Sequence, residues 1–212
     1  MDQEEKKLNR IAYALLAIIV IVVAVFIVSN SVNSNEFSYK GPTGETFNFV
    51  TGNIGKIPIY NLKVYINYGD ALIKPIEIPL RNRPKDVESI AIEGDVRAKI
   101  ITSTGIFITQ DPLLPVETSV AGIQLAKVLG TADYSVFKIP TQGAFTESLT
   151  ENPEYPVKTC KDATQNTRVI LLQQGPENKV YVKGECVIVQ GTDSNNLIKA
   201  AERTVYALLQ VM

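Results

Sequence analysis

An unbroken run of 18 apolar residues, from Ile11 to Val28, lies near the N-terminus of this 212-residue chain. Tyr13 is the only residue of the run whose side chain carries a polar group. An α-helix of this length spans about 27 Å, close to the roughly 30 Å hydrocarbon core of a bilayer. A helix in the core of a soluble domain would carry a polar stripe, which this run lacks. The run therefore predicts a transmembrane helix whose partner is the lipid bilayer.

A cleaved signal peptide is the alternative interpretation of the same run. The apolar region of a signal peptide is usually about 7–15 residues long, which is shorter than this one. Residues 29–35 are rich in Ser and Asn, contain no small-x-small Ala motif and are not followed by a lipobox Cys. We therefore expect an uncleaved signal anchor over residues 11–28, followed by a flexible stalk over residues 29–35.

The basic residues next to the anchor predict its orientation. Lys6, Lys7 and Arg10 precede it, whereas the stalk that follows has no basic residue. Lys and Arg beside a membrane span favour the cytoplasmic side. We therefore expect a cytoplasmic tail over residues 1–10, a type II single-pass topology in the cell membrane, and an extracellular domain over residues 36–212.

The composition excludes several classes of function. The chain has a net charge of −1, no His and two Cys. A balanced charge gives no electrostatic surface for nucleic acid. Without His there is no Ser-His-Asp or Cys-His pair, and two Cys cannot by themselves form a Cys₄ zinc site or an iron–sulfur cluster. No P-loop, GxGxxG or EF-hand motif is present. We accordingly predict no cofactor, no metal and no catalytic residue.

The two cysteines, Cys160 and Cys186, agree with an extracellular domain. An even pair in such a domain is typical of a disulfide. Closing a loop of about 26 residues stabilises a fold by about 3.5 kcal/mol in the chain-entropy treatment. A redox-active pair is the alternative, but the spacing is not CxxC and Cys186 opens an apolar strand. We predict a structural disulfide between the two residues.

The first half of the extracellular domain has the pattern of antiparallel strands. Residues 37–40 and 46–50 flank Gly41-Pro42-Thr43-Gly44, which is typical of a hairpin. Apolar and polar residues alternate over residues 61–68, as in a half-buried strand. The chain then turns into residues 71–80, whose two prolines favour a sheet edge.

The second half mixes strands with two amphipathic helices. Residues 97–101 and 106–109 flank Ser103-Thr104-Gly105 and predict another hairpin. Four further strands are expected at residues 136–139, 168–172, 179–182 and 186–189. Residues 117–129 have the apolar spacing of a helix, with Gly130 following as a C′ residue.

A closing helix is predicted from the apolar residues that recur between Leu197 and Met212. Its candidate N-caps are Thr192, Asp193 and Ser194. The side chains expected on its solvent face are Lys199, Glu202 and Arg203. Together, these elements predict an α+β fold of mainly antiparallel sheet covered by two helices, with a possible domain seam near residues 84–94.

Three polar segments are candidate sites, and each has a structural alternative. Residues 191–194 join a strand to a helix, where backbone N–H groups can hold an anion, but Asp193 can itself cap that helix. Residues 109–112 end an apolar strand, where α/β enzymes place ligand-binding groups, but Asp-Pro is also an ordinary loop dipeptide. Residues 158–164 could hold a Ser/Thr–Lys dyad, although nothing in their spacing indicates one.

Three C-terminal segments carry a resemblance to other proteins: KTCKDAT at residues 158–164, CVIVQG at residues 186–191, and the helix end at residues 207–212. Over residues 158–212 the chain is similar to small uncharacterised single-pass membrane proteins of archaea. Those proteins tend to end in Leu-Gly-hydrophobic-Met, where this chain has Gln210. The resemblance implies an archaeal cell envelope and implies no catalytic residue.

The sequence as a whole favours a membrane-anchored cell-envelope protein that acts by binding or assembly. Such a protein would be a surface-layer, pilus-associated or adhesion component, with an envelope protein or a second copy of itself as its partner. The aromatic candidates for contact with a partner are Tyr60, Tyr65 and Tyr68, for which strand packing is the alternative. The alternative function is a His-free envelope enzyme, either a hydrolase or a thiol oxidoreductase.

Overall fold

The computed structural model describes residues 35–65, 75–148 and 154–212. The chain divides into two units, residues 1–36 and 37–212, and the second of them is compact. The predicted tail, anchor and stalk, and also Tyr68, lie outside the described residues. Among the residues that the structure describes, no helix is long and apolar enough to cross a membrane.

A four-stranded antiparallel sheet forms the first half of the second unit. Its strands are adjacent in chain order: β1 (Glu36–Lys40), β2 (Thr46–Ile54), β3 (Ile57–Val64) and β4 (Ile76–Leu80). The alternation of side chains places Phe49, Leu62 and Leu80 on the buried face. The first predicted hairpin is confirmed, and β4 lies at a sheet edge, as the prolines at positions 75 and 79 indicate.

A six-stranded sheet forms the second half, in the order β5-β9-β10-β8-β6-β7. Its strands are β5 (Ala91–Glu93), β6 (Gly105–Gln110), β7 (Thr141–Phe145), β8 (Thr167–Gln174), β9 (Lys179–Lys183) and β10 (Cys186–Gly191). The β9–β10 pair is antiparallel, and the other four pairs are parallel. The predicted mainly antiparallel sheet is therefore wrong for this half, because parallel neighbours are joined by long crossovers that leave no local turn signal.

The fold has four helices among the described residues, whereas the sequence predicted two. They are α1 (Pro84–Val87), α2 (Val96–Ile101), α3 (Ser119–Leu129) and α4 (Ser194–Leu208). The two predicted helices correspond to α3 and α4 and are confirmed. The general α+β class is also confirmed.

Helix α2 replaces a predicted strand, so the second predicted hairpin is wrong. The carboxylate of Asp95 accepts a hydrogen bond from the Ala98 N–H at 2.9 Å and caps the helix. Val96 and Ile100, four residues apart, are both buried on the face that packs into the core. A run this short fits a strand pattern equally well, and only the cap and the tertiary contacts distinguish the two.

Two further differences occur around the end of α3. The strand predicted at residues 136–139 does not form, and β7 follows instead at Thr141–Phe145. Gly130 ends α3 with a φ of −58°, so it does not adopt the left-handed conformation of a C′ glycine. A Cβ at this position would lie 2.7 Å from the carbonyl oxygen of Ala126, and glycine is needed there for close approach.

Helix α4 connects the two sheets through one continuous hydrophobic core. Its Leu197 and Val205 are buried in that core, and the ring of Tyr206 meets the ring of Phe49 edge-on at 6.1 Å. Because both sheets contribute to the same core, little of α4 faces solvent. The expectation that Glu202 lies on a solvent face is therefore wrong, since this residue is 0% exposed.

The opposite face of the six-stranded sheet is closed by the predicted disulfide. Cys160 and Cys186 are bonded, with their Cα atoms 5.2 Å apart and a sequence separation of 26. Cys186 is buried with Val169 and Ile188 in a small separate apolar cluster. The disulfide thus fixes the segment around Cys160 against the start of the central strand β10.

Candidate functional site

A cleft with a volume of about 300 Å³ opens between α3 and the edge strand β7. Ile108 of β6 and Leu172 of β8 line it from the sheet, while Ile123 and Ala126 line it from α3. The remaining lining residues are Gln110, Ser119, Gly122, Thr141, Gly143, Ala144, Phe145 and Tyr155. The cleft includes residues at the carboxyl ends of β6 and β7, the position where parallel sheets commonly bind ligands.

Two glycines, Gly122 of α3 and Gly143 of β7, line the cleft and leave space for it. Gly143 pairs with Ile108 in the β6–β7 register, so both positions lie on the same face of the sheet. A Cβ at Gly143 would meet no atom within 4 Å. A Cβ at Gly122 would touch the side chains of Ile108 and Leu172 at 3.6 Å. The cleft therefore exists largely because these two positions of β7 and α3 carry no side chain.

The chemistry of the cleft is that of an apolar binding site. None of the described residues that line it is Asp, Glu, Lys, Arg or Cys. Its polar side chains are Gln110, Ser119, Thr141 and Tyr155. Ile123 and Tyr155 are 54% and 53% exposed at its mouth, and the Tyr155 ring packs 5.3 Å from that of Phe145. Such a surface gains free energy when an apolar group covers it, but it offers no acid, base or charged nucleophile.

The candidate segment at residues 109–112 contributes one residue to this cleft. Gln110 lines it, whereas the hydroxyl of Thr109 is buried and donates to the Lys158 carbonyl at 2.8 Å. The carboxylate of Asp111 accepts a hydrogen bond from the Leu113 N–H at 2.7 Å and shapes the loop. The polar residues at the end of β6 therefore lie beside the cleft, and one of them lines it. The apolar side chains that form most of the cleft were not identified from this segment.

The segment at residues 191–194 forms a helix cap. The carboxylate of Asp193 accepts a hydrogen bond from the Asn196 N–H at 2.9 Å, and this bond lowers the pKa of Asp193 below its ordinary value. The carboxylate thus takes the place that an anion would occupy at the N-terminus of α4.

The segment at residues 158–164 forms no Thr–Lys dyad. The hydroxyl of Thr159 donates to the Asp162 carboxylate at 3.0 Å, and the Thr159 N–H donates to the same carboxylate at 2.7 Å. These bonds lower the pKa of Asp162. The ammonium of Lys158 lies over the ring of Phe107 at 5.1 Å instead of contacting that hydroxyl.

The candidate tyrosines have different environments. Tyr60 is buried, with its ring edge-on to Phe37 at 5.9 Å and the guanidinium of Arg83 lying 5.0 Å above it. Tyr65 is exposed. Neither residue lines the cleft, and strand packing accounts for Tyr60.

A buried carboxylate at the junction of the two sheets was missed from the sequence. Glu202 of α4 accepts hydrogen bonds from the main-chain N–H groups of Arg81 and Asn82, at 2.6 and 2.9 Å. The Asn82 side-chain amide donates to it at 2.7 Å, and the amide of Gln124 in α3 donates at 2.5 Å. Four donors from two segments that are distant in sequence thus converge on one carboxylate.

Burial sets the protonation behaviour of Glu202. Its pKa is raised above the ordinary value because desolvation penalises the charged form, and the four donated hydrogen bonds only partly oppose this. A raised carboxyl pKa is common at active sites, but Glu202 is fully buried and is not among the residues that line the cleft between α3 and β7. We therefore assign it a structural role.

A second polar cluster holds the disulfide segment in place. The buried guanidinium of Arg168 donates to the carbonyls of Lys99 and Thr164, at 3.0 and 2.6 Å, and forms an ion pair with Glu185. These contacts tie strand β8 to helix α2, to the loop that precedes β8 and to the turn between β9 and β10. Across the described part of the chain, no group of three or more His, Cys, Asp or Glu side chains could hold a metal ion.

Comparison with known proteins gives no functional assignment, because no protein-family model, no curated protein and no solved structure matches this chain.

Proposed function

We propose that the protein is a membrane-anchored component of the cell envelope that acts by binding a partner through the cleft between α3 and β7. The observation that carries this proposal is the lining of the cleft. It is open and mostly apolar, and it has no ionisable side chain other than the Tyr155 phenol. Such a site recognises shape and apolar surface.

The state of the cysteines supports binding over thiol chemistry. A thiol oxidoreductase needs a reactive sulfur that its substrate can reach. Cys186 is fully buried, and its half-buried partner Cys160 lies in no CxxC motif and is bonded to it. A structural disulfide is also typical of an oxidising compartment, which agrees with the proposed extracellular location. The archaeal envelope implied by the resemblance would be such a setting.

A tryptophan reporter can test whether the cleft binds apolar groups. The chain has no Trp, so the variant Tyr155→Trp would carry a single indole at the mouth of the cleft. The full chain in mild detergent would be titrated with N-acetyl-isoleucinamide, a soluble apolar probe. We expect a saturable blue shift of the indole emission, because the probe would displace water from the indole.

Two controls separate cleft binding from general effects. N-acetyl-serinamide should cause no shift, because it has no apolar side chain to bury. Adding Gly143→Leu to the Tyr155→Trp variant should abolish the shift. The space around a Cβ at position 143 is empty, and the leucine side chain would fill it. An equal shift in the Gly143→Leu background, or no shift in any background, would count against the proposed site.

The proposed membrane topology needs a separate test. Intact cells that express the chain with a C-terminal epitope would be treated with a protease that cannot cross the membrane. We expect the epitope to be lost from intact cells, because residues 36–212 are proposed to be extracellular. An epitope that is protected until lysis would reverse the proposed orientation.

A further inference from the structure

Strands β2 and β3 extend beyond their neighbours as a two-stranded ribbon, residues 51–59, which we call the finger. On one side, pairing of β3 with β4 begins only at Tyr60. On the other side, the ring of Phe37 stacks on that of Phe49 at 4.8 Å, and β1 begins one residue before Phe37, at Glu36. The finger therefore has no neighbouring strand on either edge within the part of the chain that the structure describes.

The tip of the finger is apolar and open to solvent. Residues 53–58 are all exposed. Ile54 and Ile57 are direct partners in the β2–β3 register, so their side chains lie on the same face. They are 66% and 42% exposed. Together they form an apolar knob, which is a costly feature for a surface that contacts only water.

The turn that carries this knob is tight. Gly55 has a φ of +62°, whereas Lys56 is not among the residues with positive φ. This combination is typical of a type II′ turn, which matches the twist of the flanking strands. Ile54 and Ile57 are therefore held in place by a two-residue turn and present a defined shape.

The charge of the finger is opposite to that of most charged residues next in sequence to the cleft lining. Lys56 is the only charged residue of the finger. Five charged residues, all exposed, lie within two positions of a residue that lines the cleft: Asp111, Glu117, Lys127, Glu147 and Glu154. Four of the five are acidic, so the segments that carry the cleft residues have an excess of negative charge, which favours a basic partner.

We propose that the finger of one copy docks into the cleft of a second copy of this chain, with Ile54 and Ile57 entering the apolar space and Lys56 facing the acidic surroundings. This inference rests on the proposed binding role of the cleft and names its partner. The two surfaces that meet are different, so the contact is heterologous. A pair of copies retains one free finger, on one copy, and one free cleft, on the other, so copies would add head to tail into a ring or an open array.

A contact of this size is expected to be weak in solution. A two-stranded tip covers much less than the roughly 800 Å² per partner of a standard interface. Copies anchored in one membrane would nevertheless meet at a high effective concentration, and an array would hold each copy at two points. The contact therefore suits assembly on a surface better than a stable soluble dimer.

The test measures association of the full chain in mild detergent, at one chain per micelle. Two preparations with donor and acceptor fluorophores at the N-terminus would be mixed at increasing concentration, and energy transfer recorded. We expect transfer to rise with wild-type concentration. The finger variant Ile54→Ser/Ile57→Ser and the cleft variant Gly143→Leu should each weaken self-association at least about tenfold. Tyr134→Ser, which removes an exposed aromatic residue outside both surfaces, should leave it unchanged.

Mixing the two defective variants gives the decisive result. The finger variant retains a cleft and the cleft variant retains a finger, so the mixture should restore association and stop at a 1:1 complex. A symmetric contact, in which both copies use the same surface, would not be restored by mixing, because each variant would bring its own defect to it. If the finger variant self-associates like the wild type, or if the mixture fails to associate while the wild type does, the proposed contact is overturned.

The outcome also separates this inference from the proposed function. If N-acetyl-isoleucinamide binds the cleft but the mixture of variants does not associate, the cleft is a binding site for a partner other than a second copy. Loss of association upon Lys56→Glu, which reverses the charge of the finger, would further support the proposed orientation. An unchanged association of that variant would contradict the charge pairing.

Discussion

The hydroxyl of Tyr206 donates a hydrogen bond to the main-chain carbonyl of Asn82, 124 residues earlier in the chain, over 2.7 Å. Asn82 follows β4, and Tyr206 lies in the last two turns of α4. Burial raises the pKa of Tyr206, so the phenol stays protonated and able to donate. One turn earlier, Glu202 accepts three hydrogen bonds from Arg81 and Asn82. The four-stranded sheet is thus tied to α4 by polar contacts as well as by the core.

Tyr206→Phe tests the first of these contacts. It removes the donor and leaves the Asn82 carbonyl without its partner, which should lower the free energy of unfolding by about 1–2 kcal/mol. Denaturant titration of both proteins measures the change. Tyr60→Phe is a matched control, because Tyr60 is also buried but its hydroxyl makes no hydrogen bond with the described residues. An equal loss in the free energy of unfolding for the two variants would mean that the hydrogen bond between Tyr206 and Asn82 does not stabilise the fold.

Glu202→Ala should be far more damaging. The change leaves four donors, one buried and three partly buried, without an acceptor and creates a cavity at the junction of α3, α4 and the end of β4. We expect a loss of about 3–5 kcal/mol in the free energy of unfolding. Glu147→Ala removes an exposed carboxylate and should change stability by less than about 0.5 kcal/mol. A small effect at position 202 would show that water reaches these donors.

The ionisation of Glu202 predicts a specific pH dependence. Its pKa in the folded chain is above the ordinary 4.5, so the folded state holds this proton more tightly than the unfolded chain. The resulting stabilisation is fully present below about pH 4.5 and is lost as the pH rises through the folded-state pKa. Glu202→Gln removes this titration. The stability of the wild type minus that of the variant should therefore decrease from pH 4 to pH 8. A difference that grows with pH would contradict the direction of the shift.

Removal of the disulfide should destabilise the fold without unfolding it under mild conditions. Closing a loop of 26 residues contributes about 3.5 kcal/mol in the chain-entropy treatment. The variant Cys160→Ala/Cys186→Ala should lose up to this amount, as measured by denaturant titration. A count of free thiols in the wild type should give none before reduction. Free thiols in the purified chain would contradict the extracellular proposal.

Gly143→Leu should leave the fold intact although it blocks the cleft. A Cβ at this position meets no atom within 4 Å, and the residue has no positive φ. Its melting temperature should therefore stay within a few degrees of the wild type. A large loss of stability would make this variant unsuitable as a blocked form, and a shorter side chain, as in Gly143→Ala, would replace it.

The sequence pattern was informative where structure is local. The β1–β2 hairpin, β8, β9, β10, α3 and α4 all follow from turn residues and periodicity within a few residues. Asp193 was correctly among the candidate caps for the same reason. Helix α2 was missed because its six residues fit a short strand as well as a helix.

Features that depend on distant partners were not predictable in this way. The apolar residues that line the cleft come from strands and a helix that meet only in the folded chain, and only Gln110 lay in a segment identified beforehand. Glu202 was assigned to solvent because the pattern of α4 shows one strongly apolar stripe. Nothing local in that pattern indicates that a second sheet covers the opposite side.

The position of α4 has a consequence for how the chain folds during synthesis. Strands β1–β4 emerge early, but Phe49, Leu62 and Leu80 share their core with a helix that follows every strand in the chain. A nascent chain would expose this apolar face until α4 is synthesised, and would be prone to aggregation during that time. We therefore expect both sheets to reach their native packing late and together, when the last helix completes the shared core.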